Sequence, residues 1–191
     1  PYLGVYFYRI NTRVPQLQDK RVRRALGMTI DRDKISQRIL KGGQIPAYTI
    51  TPPDTMGYFP DSDLAFNPEA ARQLLADAGY PNGEGFPATE ILYNTSEGHR
   101  KIAVAIQQMW KKHLNIDVKL LNQEWKSYLN SITGRDYEIG RAGWIGDYVD
   151  PKNGLDAYLC DGRNNRTGGC LSLIQLLLRR RSTHWNNGSS V

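Results

Sequence analysis

Histidine and cysteine are scarce in this chain, three of one and two of the other in 191 residues. His99, His113 and His184 show no HExxH spacing, and Cys160 and Cys170 lack the pairs-of-pairs spacing of a structural zinc site. Neither a metal nor a cofactor is therefore expected. No GxSxG elbow, GxGxxG turn or P-loop is present, and neither cysteine has an evident partner base, so no catalytic residue is nominated. Charges interrupt every apolar segment before the ~18 residues of a membrane span. The opening PYLGVYFYRINT has no basic n-region and no apolar core leading to a small-residue cleavage site. A free-standing secreted precursor is therefore not expected, while a mature fragment stays compatible with the sequence. What is present is ordinary for a globular domain: 40% apolar, 10% aromatic and 23% charged residues, which excludes a disordered chain.

The net charge of +6 is uneven. Residues 168–191 hold three arginines and no acid, so residues 1–167 carry only +3, a balance that favours solubility more than a polyanion partner. A basic, aromatic nucleic-acid-binding domain is the alternative of another class. It draws on a pI near 9.4, four Trp, eleven Tyr, and Arg21, Arg23 and Arg24 on one helix. Those arginines are mixed with Asp19, Asp31 and Asp33, however, and no RNP-type sequence surrounds the aromatics. Heparin retention that persists without residues 168–191 would favour it.

Along the chain, Leu3–Ile10 reads as a strand. Helices follow from about Asp19 (Val22, Ala25, Leu26 and Met28 inward) and from Asp31, which caps a stripe of Ile35, Ile39 and Leu40 before Gly42-Gly43. Prolines 46, 52, 53, 60 and 68 make the next stretch an irregular loop. Asn67-Pro68-Glu69 announces a helix with Leu74 and Leu75 buried and Gly79 as its stop. Thr89–Tyr93 is a strand. Ser96 caps the longest helix, with Ile102, Ala105, Ile106, Met109 and His113 on one face. Ile116–Leu121 alternates as a strand, Glu124–Leu129 is a short helix and Tyr137–Trp144 another strand. Interleaved strands and helices give an α/β domain.

The sharpest cluster is Arg141-Ala-Gly-Trp-Ile-Gly-Asp-Tyr-Val-Asp-Pro151. An aromatic beside a carboxylate at the carboxyl end of a strand suits a ligand bearing a cation. A buried Trp144 with Asp147 capping the next turn is equally consistent with the residues.

Several separated segments, in order, resemble the periplasmic oligopeptide-binding proteins of peptide ABC transporters. They are Tyr2-Leu-Gly, Tyr8-Arg-Ile-Asn, Asp19-Lys-Arg-Val-Arg-Arg-Ala-Leu, Asp31-Arg-Asp, Pro46-Ala-Tyr, Thr51-Pro-Pro, Leu92-Tyr-Asn-Thr-Ser, Trp110-Lys-Lys, Asn122-Gln-Glu-Trp-Lys and Arg141-Ala-Gly-Trp with Asp147-Tyr. The resemblance runs from residue 1 to about Thr167. It implies part of the C-terminal lobe of a type II, two-lobe binding-protein fold, an oligopeptide ligand, an ABC permease partner, a periplasmic location (or that of an extracytoplasmic lipoprotein) for the parent protein, and no enzymatic activity. It also implies roles. Asp147 would hold the peptide α-ammonium, Trp144 and Trp125 would wall side-chain pockets, and Gly143 and Ile145 would offer main-chain groups. Asn94 would make a polar contact, while Arg141 and His99 would meet the C-terminal carboxylate. For His99 the first turn of a helix also favours an anion, though a surface helix histidine is the plainer reading of that residue alone. A further family cation is replaced by Ile132, with Arg135 only approximately placed. Relatives binding dipeptides, murein peptides or a metal chelate are the nearer alternatives.

The sequence leaves the family pattern at Gly168-Gly169. From Cys170 an apolar run ends in Arg179-Arg180-Arg181. It reads either as an amphipathic helix or as a tail foreign to the fold, and 168–191 is expected to be a frameshifted, artefactual or truncated end. Whether Cys160 and Cys170 pair is left open, and an incomplete lobe is expected to self-associate through exposed apolar surface.

Overall fold

The computed structural model describes residues 4–52, 55–57, 62, 64–156, 158–159, 162 and 164–169. Cys160, Cys170 and the run from 170 to 191 lie outside them, as do the expectations that rest on them.

Four strands form one mixed sheet in the order β1-β4-β2-β3. They are β1 (Gly4–Ile10), β2 (Thr89–Asn94), β3 (Val118–Gln123) and β4 (Ile139–Ile145). All four fall where the sequence placed strands, with β3 and β4 each beginning two residues later than expected. Ile116 is instead a buried turn residue whose N–H donates to Trp110 O. β2 runs parallel to β3 and to β4, while β1 is antiparallel to β4.

Two crossovers build the parallel part. The helix α4 (Glu97–Leu114) carries β2 to β3, and α5 (Trp125–Gly134) carries β3 back past β2 to β4. Reversing direction across the sheet with right-handed connections places the two helices on opposite faces. The core divides accordingly. Ile91, Tyr93 and Ile139 pack with α4 and with the helices α1 (Lys20–Met28) and α3 (Pro68–Asp77), whereas Leu92 packs with Tyr128, Ile132 and Tyr137 on the α5 side.

The helix starts follow from their caps. Asp19, Asp31 and Asn67 each accept a backbone N–H from the first turn of α1, α2 (Arg32–Lys34) and α3. The chain continues from α2 as a π-helical stretch, Ile35–Leu40, which ends at left-handed Lys41 (φ 55°), one residue before the expected glycines. Ser96 sits at the N-cap of α4, but its hydroxyl makes no capping bond. The buried face of α4 is also rotated from the expected one. Ile102, Ala103, Ile106, Trp110 and Leu114 are buried, whereas Ala105, Met109 and His113 are only partly so. Trp110 sets the rotation, because its indole N–H donates to Leu26 O at 3.0 Å and locks α4 against α1. α5 runs five residues beyond the expected end, to Gly134.

Pro81–Gly83 forms a tight turn in which Gly83 has φ +77°, and a Cβ there would lie 2.3 Å from Leu114 O. Only glycine fits. The last helix among the described residues is α6 (Pro151–Asp156). No helix among the described residues is long and apolar enough to cross a membrane.

Candidate functional site

The three parallel strands end on one side of the sheet, where α4 and α5 begin, and the nominated residues gather at these ends. Asn94 closes β2, His99 is in the first turn of α4, Trp125 opens α5, and Arg141, Gly143, Trp144 and Ile145 lie along β4 from its third residue to its end. Asp147 lies in the turn that follows.

Arg141 is the hub. Its guanidinium donates from Nη1 to Asn94 Oδ1 at 3.2 Å and lies over the Tyr6 ring, Cζ 5.0 Å from the centroid. Its buried Nε has no hydrogen-bond partner among the described residues. Its carbonyl accepts from the Tyr128 hydroxyl, and Tyr128 in turn stacks on Trp125 with centroids 5.7 Å apart. His99 joins through Tyr6, whose hydroxyl lies 3.3 Å from Nδ1. Burial, and secondarily the Arg141 charge, push the His99 imidazole below its ordinary value of 6.5. Burial raises the Tyr6 phenol, so it keeps its proton.

Trp144 is not part of this group. Strand alternation places it on the opposite face of β4 from Arg141, half-buried, where its indole N–H donates to Asn153 Oδ1 of α6 at 2.8 Å. Asp147 is exposed and makes no hydrogen bond or ion pair among the described residues. The turn is capped instead by Asp150, whose Oδ1 accepts from Lys152 N–H at 2.7 Å, so the capping role considered for Asp147 is not observed. Gly143 is exposed, and Ile145 and Trp125 keep 69% and 51% of their surface. Ile132 is on the buried face of α5, and Arg135, at the far end of that helix, donates to Asn165 O.

Main-chain pairing adds the other half of the site. β4 pairs with β1 along its full length, from Ile10↔Ile139 to Gly4↔Ile145. With β2 it pairs only at Ile91↔Ile139 and Leu92↔Gly140. From Arg141 to Ile145 its second edge faces no strand among the described residues. The Arg141 carbonyl there already accepts from the Tyr128 hydroxyl, and the main-chain groups of the following residues face an edge open to an extended ligand.

Tyr6, Tyr8 and Tyr128 were not nominated from the sequence. The period-two spacing of Tyr6 and Tyr8 was visible, but nothing local says that β1 lies beside β4. Among the described residues no group of three or more His, Cys, Asp or Glu could hold a metal ion. The arginines of α1 are engaged internally: Arg21 with Asp19 at 2.6 Å, and Arg23 with the carbonyls of Leu17 and Gln18.

Comparison with known proteins agrees with this architecture. The chain is 44% identical over 162 residues to the periplasmic murein peptide-binding protein MppA of Escherichia coli, covering 81% of this chain and 30% of the relative. It is 39% identical over 176 residues to the oligopeptide-binding protein OppA of Bacillus subtilis, covering 88% and 32%. A crystal structure of a periplasmic oligopeptide-binding protein from Borrelia burgdorferi superposes with a TM-score of 0.84 at 39% identity, covering 99% of this chain and 37% of that one. The unliganded open form of the murein tripeptide-binding protein MppA gives 0.86 at 39% identity, covering 96% and 37%. The chain thus spans about a third of the length of the curated relatives it matches, and its sheet is a portion of their larger two-lobe fold. Residues 1–166 match the bacterial extracellular solute-binding proteins, family 5 middle region, and the chain belongs to that family.

Proposed function

We propose that this chain supplies part of the cleft of a solute-binding protein that captures oligopeptides outside the cytoplasm and hands them to an ABC permease, binding without catalysis. The observation that carries this reading is the open edge of β4 from Arg141 to Ile145. An extended peptide can add there as a further strand, gaining main-chain hydrogen bonds whatever its side chains. At about 3.3 Å per residue the open stretch spans about 13 Å, the length of roughly four peptide residues. Charges of opposite sign flank it. Asp147 is free to take an α-ammonium group, while Arg141 and His99 offer donors to a carboxylate. Trp125 and Trp144, on different faces, are suited to wall different side-chain pockets. Residues 1–167 form the working unit, with 168–191 outside it, and exposed Leu121, Trp125 and Leu129 give the isolated unit apolar surface for self-association.

The test is a chimera in which residues 1–166 replace the matching segment of an oligopeptide-binding relative. Calorimetric titration with tri- to pentapeptides should give saturable binding. A folded chimera that ignores them all would overturn the reading. The high identity to a murein peptide-binding protein keeps murein peptides as the second reading, and a murein tripeptide in the same titration separates the two.

A further inference from the structure

Three polar groups converge on Tyr6. Its hydroxyl meets His99 Nδ1 at 3.3 Å, its ring carries the Arg141 guanidinium, and Tyr8 closes its edge with centroids 5.9 Å apart. The Tyr6 and His99 rings themselves lie 5.6 Å apart. A phenol that donates to Nδ1 leaves the imidazole proton on Nε2, whereas one that accepts from Nδ1–H reverses the tautomer. A neutral imidazole also avoids setting a second cation beside Arg141. On His99's own helix, Glu97 and Lys101 pair with each other at 3.5 Å, and Tyr8 is the other titratable group beside this cluster from β1.

We propose that Tyr6 is a positioning residue: it holds His99 as a neutral Nε2–H donor and lays Arg141 alongside it, so that the two present fixed donors to the carboxylate end of a peptide. The inference rests on the peptide reading above for its ligand, but not for its geometry. Tyr6 acts on the ligand only through its two neighbours. Losing its hydroxyl frees Nδ1 to carry the proton, and the imidazole then has no fixed donor direction.

The test is nitrogen-detected NMR of the His99 ring in the 191-residue chain. The wild type should show the Nε2–H tautomer and a titration midpoint below 6.5. Tyr6→Phe should raise that midpoint and mix the tautomers. In the chimera the same substitution should weaken peptides with a free carboxylate about fivefold, the usual scale of one hydrogen bond, and leave C-terminally amidated peptides unchanged. An Nδ1–H tautomer in the wild type would overturn the proposal, and that measurement needs no variant to fold. An unchanged midpoint in a folded Tyr6→Phe variant would overturn it too. Failure of peptides to bind the chimera, with the Nε2–H tautomer intact, would instead overturn the peptide reading alone.

Discussion

Asp147 stands in water with no partner among the described residues, and an ion pair made there would be worth only about 0–1 kcal/mol. Enclosed between two lobes, the same carboxylate and a peptide ammonium would be desolvated together, and breaking such a pair costs roughly 2–5 kcal/mol. Asp147→Asn in the chimera should therefore weaken free-amino peptides by about that amount and hardly affect N-acetylated ones. Calorimetry that finds equal losses for both would make Asp147 structural. His99 gives a second expectation at this scale. Its pKa is lowered in the folded state, so folding favours the neutral ring. That contribution is complete above about pH 6.5 and is lost as pH falls through the lowered value. His113 behaves in the same sense, through burial and then the Lys112, Arg72 and Lys34 charges. Melting temperature should fall on acidification below 6.5, and His99→Gln should remove part of that slope without abolishing it.

β4 and α5 meet at Gly140. A Cβ there would lie 2.7 Å from Ile132 Cδ1 and 3.1 Å from the Tyr137 ring. Gly140→Ala forces those buried groups aside, and overpacking of this kind costs about 1–3 kcal/mol, to be read from the urea midpoint. A midpoint equal to wild type would show that the α5 face yields freely. This contact also marks what the sequence could disclose. Asp19, Asp31 and Asn67 announced their helices because a cap is local chemistry, completed within one turn. β1 was legible from its β-branched and aromatic residues and β3 from its alternation. The face of α4 was misjudged because Trp110 was not placed on it, although its indole proton decides the packing through a carbonyl on α1. Arg141, His99 and Asn94 were named through family resemblance, yet the residues that join them were not. Tyr6 and Tyr128 reach the site across the sheet, and no local pattern encodes that register.

Taken whole, the chain offers a ligand one wall. Pairing along β4 would proceed from one side only, the flanking charges would remain hydrated, and ordering a free peptide still costs entropy. The isolated 191-residue chain should then bind tri- to pentapeptides in the millimolar range or more weakly, roughly −4 kcal/mol. Micromolar affinity by direct titration would show that one wall suffices. The junction between β2 and β4 carries a mechanical consequence as well. The β1–β4 ladder has seven residue pairs and the β2–β3 ladder six, yet only two pairs join one ribbon to the other. Under tension, or in slow thermal breathing, the sheet should part along that seam before either ribbon unravels.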